Sequence, residues 1–454
     1  MLVLARPYQQ GDQYETLTEE RSEELSSPLG VGLEPNSLCP PFAPSPRSGH
    51  RRRRWQPLLL VWTALLMAWD GGATLAERFD SARATVTERF PSLRRVGRTY
   101  QGFIDALLLT GAGLLDRLGD ELRRQMRAMQ SCWTVMGILA FAVDGSRIEC
   151  PRTAANEAQL KRAGRKKTGP QLSLTTMYHM PSGCPWDYRI GPGVENERTH
   201  LRAMLDTLPP EAMIVADAGF IGYDLLSDIL AGGRHILFRV GSNTTLLKRL
   251  GYAKVEDDST VYLWPQEAQH ENRSPIVLRL IVLGGGRHPA YVVTDRMTQD
   301  SLSDEQAGVL YRLRWGIEVF YRSLKRTLGH HRMRCGAPQK AKMELAWAFM
   351  GLWVLSALGC QALVAKGMRP HSLSIALARK QVRQAMAGRA RQGSDLRRQL
   401  TTAVKDAYAR KSIKTARDWP HKKTERPPGP PKTRAAKPRQ VLRAKQLLQT
   451  NIAA

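Results

Sequence analysis

The chain has 454 residues, with 68 Lys and Arg against 41 Asp and Glu, a formal net charge of +27 and a sequence pI near 10.3. That length suffices for two or three domains with substantial cores, and the positive excess favours a polyanionic partner through release of its counterions. Six cysteines, at 39, 132, 150, 184, 335 and 360, show neither a CxxC pair nor Cys/His zinc spacing, and no Gly-rich loop carries Lys and Ser/Thr in P-loop order; this excludes a zinc module and nucleotide use and points to a reducing compartment.

Residues 1–55 are polar, rich in Pro, Ser and Glu, and end in RRRRW, a composition that cannot build a core. They fit an extension from an upstream start codon, with Met67 as an alternative start. Residues 56–131 are predicted to be helical: an apolar run PLLLVWTALLMAW, an amphipathic AERFDSARATVTERF, and a longer segment with leucine periodicity. The apolar run is too short to span a bilayer comfortably. The unit suits either DNA-end recognition or dimerisation, and no clear helix-turn-helix spacing separates the two.

A mixed α/β layer pattern begins near residue 137. GILAFAVDGS, residues 137–146, reads as a buried strand with Asp144 at its tip, followed by strand-like runs at 171–178 and 186–190 and a helix over about 195–207. AMIVADAGFIGYDLL, residues 212–226, repeats the device with Asp217 before a helix at 223–231 and a strand at 235–240. An Asp-Gly step at a strand end is by itself usually a turn. Two strand-tip aspartates followed by a helix-borne Glu are, however, what a two-metal nuclease needs, because ions about 4 Å apart require carboxylates that bridge and flank them. Residues 244–300 contain three strand-like runs, VYLWP, PIVLRLIVLGG and PAYVVT, and are predicted to be a β-rich insertion.

The next segment, YRLRWGIEVFYRSLK, sets Tyr311, Arg314, Glu318, Arg322 and Lys325 at offsets −7, −4, 0, +4 and +7. At about 100° per residue these share one helical face, while Leu310, Leu313, Ile317, Phe320 and Leu324 form the core face. One acid in a cationic row suits a carboxylate holding a divalent metal between phosphate-binding cations, or else a salt-bridged surface helix. Residues 345–365 are apolar for about 20 positions with only Gln361 strongly polar; the length permits a membrane span, and the position just after the Glu318 helix argues for a core helix. Residues 371–408 read as a helical C-terminal segment. Residues 409–454 hold 13 Lys and Arg against 2 Asp and Glu with a PPGPPK run, and are predicted to be a disordered basic tail.

The order Asp144, Asp217, Glu318 resembles the DDE triad of a ribonuclease-H-like transposase domain. Tyr311, Arg314, Glu318 and Lys325 match the YREK spacing of bacterial insertion-sequence transposases in the insertion-sequence-four group. FRVGSN at 238–243 and ERTHLRAMLDTLPPEAMIVADAGFIGYDLL resemble the same group, so the similarity covers about residues 135–335. The resemblance implies a ribonuclease-H-like catalytic domain over 132–243 and 301–370, interrupted by the β-rich insertion at 244–300. It further implies catalytic and metal-binding roles for Asp144, Asp217 and Glu318 with Mg²⁺, or Mn²⁺ as a substitute, and DNA contacts from Tyr311, Arg314, Arg322 and Lys325. Trp264 is a candidate to stack on a flipped base, against the alternative of an ordinary buried tryptophan. Implied partners are terminal inverted repeats and target DNA, with a homodimer in the synaptic complex, no membrane and no nucleotide, in a bacterial cytoplasm at the nucleoid. The competing functional readings are a ribonuclease-H-like nuclease without strand transfer and a transposase-derived DNA-binding protein.

Overall fold

The computed structural model describes residues 55–90, 96–161, 169–284, 289–386, 396–405 and 429–453. Its helices, in chain order, are α1 (Pro57–Trp69), α2 (Leu75–Arg89), α3 (Tyr100–Ala128), α4 (Ala154–Leu160), α5 (Glu197–Arg202), α6 (Tyr223–Ala231), α7 (Gln266–His270), α8 (Asp304–Leu313), α9 (Trp315–Arg322), α10 (Pro338–Val364), α11 (Ile375–Met386), α12 (Leu396–Leu400) and α13 (Pro438–Ala453). Its strands are β1 (Ala140–Glu149), β2 (Gln171–His179), β3 (Cys184–Pro192), β4 (Met213–Ala216), β5 (His235–Val240), β6 (Thr245–Lys248), β7 (Thr260–Leu263), β8 (Ile276–Leu283), β9 (Ala290–Thr294) and β10 (Lys432–Ala435). The reading of residues 1–55 falls outside the described residues except for Trp55, which packs against Phe79 and Phe103.

All ten strands join one sheet in the order β10-β6-β7-β8-β9-β5-β4-β1-β2-β3. The half β3-β2-β1-β4-β5 has the ribonuclease-H arrangement: β1 is antiparallel to β2 and parallel to β4, which is parallel to β5. The short apolar runs IVA and ILF are buried on both faces, as parallel central strands must be. The β-rich insertion is not a separate body, for β9 pairs antiparallel with β5 and carries the same sheet outward through β8, β7 and β6.

The apolar helix α10 lies inside the fold. It is the one helix among the described residues long and apolar enough to cross a membrane, and 89% of its most apolar stretch is buried by the rest of the protein. Helices α1 and α3 pack on it together with β3. Contact with α1 is close because Gly351 lacks a side chain: a Cβ there would come within 2.6 Å of Ala68 Cβ, and the Gly351 carbonyl accepts the Trp69 indole N–H at 2.8 Å. The described residues between 56 and 131 form α1, α2 and α3, and these share their core with the sheet domain.

The tail is corrected over residues 429–453. Lys432–Ala435 add β10 parallel to β6, and α13 follows, holding the insertion through Arg443, whose guanidinium donates to Asn272 at 2.8 Å. Composition pointed to disorder because the segment has little apolar surface of its own. The exposed backbone edge of β6 supplies hydrogen bonds, and Ala444 supplies a fully buried anchor, which charge counting does not reveal.

Candidate active site

Asp144 is not at the strand tip expected from the sequence: β1 runs on to Glu149 along β2, and Asp144 stands where β1 passes the end of β4. The register pairs Val143 with Ala216 and Ala216 with Phe238, so the next residues, Asp144, Asp217 and Arg239, lie side by side level with the C-terminal end of β4. Neighbouring strands run about 5 Å apart, so the two aspartates occupy adjacent backbone positions. Each is set by a local hydrogen bond: the Gly145 N–H donates to Asp144 Oδ1 at 2.9 Å, and the Ala218 N–H donates to Asp217 Oδ1 at 2.7 Å.

Helix α9 lies over β1, held by Tyr321, whose hydroxyl donates to the Asp144 carbonyl at 2.8 Å and the Leu174 carbonyl at 3.3 Å. Gly316 lets the helix come down onto β2, since a Cβ there would be 3.1 Å from the Tyr178 ring. Glu318 sits in the first turn of α9, half-buried, with Arg314 Nη2 at 3.4 Å from Oε1. The single helix expected over Tyr311–Lys325 is instead α8, a break at Arg314, α9 and a π-helical turn over Ser323–Thr327. Such a turn inserts a residue into the helical repeat and is common at functional sites. Here it leaves Lys325 half-buried within the field of Asp144; burial holds its ammonium below the usual lysine value and Asp144 draws it back up.

Charge at the site is unbalanced in a telling way. Burial pushes the Asp144 carboxyl up to about 6, with Glu197 and Glu318 adding to the rise while the Gly145 N–H and Arg314 oppose it. Like charges thus converge where a cation would relieve them. Asp217 is turned toward Arg239, 3.7 Å away. Burial also raises the Tyr311 hydroxyl, with Asp217 adding to the rise and Arg314 and Arg239 opposing. The Arg314 guanidinium lies 5.4 Å from the centre of the Tyr311 ring. Arg322 is exposed.

The fold therefore gathers Asp144, Asp217, Glu318, Tyr311, Arg314 and Lys325 at one sheet edge. Among the described residues no three His, Cys, Asp or Glu side chains are close enough together to hold a metal ion. The donors are hard oxygens suited to Mg²⁺, and two of the three carboxylates face arginines in this conformation. Trp264 does not belong to the site. It is only 3% exposed, and its indole N–H donates to the Arg273 carbonyl at 2.7 Å, so its faces are closed to a base and the stacking role is withdrawn.

Three residues near the row went unremarked in the sequence. Arg239, within FRVGSN, is placed by strand register alone. Glu197 begins α5, capped by Asn196, and its carboxylate lies over Gly145, where a Cβ would meet Oε1 at 2.2 Å. Trp315, the first residue of α9 and one turn before Glu318, is 54% exposed. An indole open to solvent beside a carboxylate of this kind was legible as the W in YRLRWGIE, but the helical pattern assigns it to neither face.

Two aspartates on neighbouring strands beside a helix-borne Glu are an arrangement that metal-assisted phosphoryl-transfer enzymes can use. The chain matches, over residues 136–354, the family described as the transposase DDE domain. It is 23% identical over 350 residues to the transposase InsG of insertion sequence element IS4 from Escherichia coli (strain K12), a match covering 72% of this chain and 75% of that protein. A piggyBac transposase synaptic complex with hairpin DNA, solved by cryo-EM, matches with a TM-score of 0.40 and 11% identity, over 85% of this chain and 84% of that one.

Proposed function

We propose that this transposase cleaves the ends of a mobile element in two in-line steps and then joins them to target DNA, with Asp144, Asp217 and Glu318 as the metal-holding carboxylates. In the first step a water oxygen bonds to phosphorus as the P–O3′ bond breaks, and the leaving oxygen takes up a proton to become a free 3′-hydroxyl. That hydroxyl then attacks the opposite strand, closing a hairpin at the end; after the hairpin is opened, the 3′-hydroxyl attacks a target phosphate. Mg²⁺, when bound, supplies activation of the attacking oxygen and stabilisation of the leaving one.

The chain's own side chains do the positioning. Lys325 and Tyr311 flank the acidic row and are suited to hold phosphates of the cut strand; Arg314 would pass from Glu318 to a phosphate when DNA arrives, since its guanidinium fork fits either anion. Arg322 adds an exposed cation one turn beyond Glu318. Trp315 offers the aromatic face that Trp264 lacks. Two protomers acting on paired ends would make the synaptic assembly.

The observation that carries this reading is the pairing of Val143 with Ala216, which seats Asp144 beside Asp217 under the Glu318 helix. Duplexes ending in the element's own terminal repeats, incubated with the purified chain and Mg²⁺, test it. Hairpins and joined products are expected. Simple nicks would instead indicate a nuclease without strand transfer, and binding without cutting a DNA-binding descendant.

A further inference from the structure

The π-helical turn and α11 line an open groove of about 600 Å³ formed by Arg326, Thr327, Ala376, Arg379, Lys380, Arg383 and Gln384. Its wall on α11 follows from helical spacing: positions 376, 379/380 and 383/384 share one face, with the small Ala376 keeping the floor open. Four cations line it, and no carboxylate does.

The four do not have the same task. Arg379 is a staple, with its guanidinium donating to the carbonyls of Trp69 at 2.9 Å, Asp70 at 2.7 Å and Thr327, so that it ties α1, the π-turn and α11 together. Arg326, Lys380 and Arg383 are exposed, and among the described residues no ion pair is formed by any of them. Three unneutralised cations around a stapled fourth repel one another, a cost that a bound polyanion would remove. The groove also adjoins the chemistry: Lys325 lies in the field of Asp144, and Arg326, the next residue, lines the groove.

We propose that this groove is a sequence-independent seat for the phosphate backbone of duplex DNA flanking the cut, with Arg326, Lys380 and Arg383 as its phosphate contacts. The ligand's identity rests on the transposase reading; the cationic seat itself does not. The contacts proposed are to phosphate oxygens, which fix register along the backbone and carry no sequence information, so end recognition is left to other surfaces.

The test uses the full chain in EDTA with a fluorescein-labelled 30-bp duplex of mixed sequence, its affinity measured from 50 to 200 mM salt. Replacing all three contacts (Arg326→Ala, Lys380→Ala, Arg383→Ala) should flatten the salt dependence by about 2.7 in log–log slope, so that the wild type loses about 40-fold more affinity than the variant across that range. A control with the same loss of charge, Lys254→Ala, Lys342→Ala and Lys366→Ala, all exposed and outside the groove, should leave the slope near the wild-type value. Arg379 is left intact so that folding is preserved, and Arg383→Lys should keep most of the binding because a phosphate accepts either cation. An unchanged slope in the groove variant, an equal drop in the control, or an effect seen with an RNA duplex and not with DNA would each overturn the proposal. A wild type that binds the duplex through the groove but never cuts in Mg²⁺ would defeat the transposase reading and leave the groove standing.

Discussion

Asp144→Asn should make the protein more stable while ending its chemistry. Burial raises this carboxyl from the ordinary 3.8 to about 6, so ionising it costs the fold about 3 kcal/mol at most, at 1.36 kcal/mol per unit. Partial solvent access lowers that to about 1–2 kcal/mol. The sign follows from the direction. A raised acid contributes nothing below its unfolded value, and its destabilisation grows as pH climbs from about 4 to about 6 and is complete above that. Urea unfolding in EDTA should therefore show the variant more stable than wild type at pH 8 and equal to it at pH 3.5. Mg²⁺ at ten times its dissociation constant should add about 1.4 kcal/mol to the wild type and far less to the variant. If Asn at 144 destabilised the protein at pH 8, Arg314 and Lys325 would outweigh burial, and the account of Asp144 as a carboxylate strained by burial would be wrong.

Asp217→Asn and Glu318→Gln should each abolish cleavage of end duplexes while leaving their binding within about twofold, measured by gel shift beside a cleavage assay; substantial cutting by either would remove that residue from the metal set. Lys325→Ala should slow cleavage without changing the Mg²⁺ concentration for half-maximal rate, and rescue by excess Mg²⁺ would mean that it tunes metal affinity instead. Gly145→Ala must push the Glu197 carboxylate aside, so any loss of rate should largely disappear when Glu197→Ala is added, whereas additive losses would show that the strand itself is distorted. Trp315→Ala should weaken hairpin formation more than first-strand nicking with little change in urea midpoint, because an indole 54% exposed contributes little to the core; equal effects on both steps would argue against base stacking. Truncation after residue 428 should weaken binding to every duplex alike and also lower stability, since it uncovers the β6 edge.

The strands and helices that carry Asp144, Asp217 and Glu318 were readable because their signals are local. Apolar runs specify buried strands, and one acid among cations at helical spacing specifies a face, but the Asp-Gly step at 144–145, read as a strand end, lies inside β1. The order of three strands, helix, strand, helix, strand was still legible from about residue 137 onward, with Asp144 on the first strand and Asp217 directly after the fourth. Sequence could not decide how those pieces meet across distance. The parallel register that sets Arg239 beside Asp217, the Gly316 contact that lowers α9 onto β2, and the carboxylate of Glu197 over Gly145 are pairwise fits between segments far apart in the chain. Tail and tryptophan show the same limit from the other side. A basic segment looks unfolded until a bare strand edge accepts its backbone, and Trp264 looks available until the insertion closes around it. Periodicity and turn chemistry act over a few residues and are written in the chain, while burial, register and the balance of buried charge exist only once the whole sheet has formed.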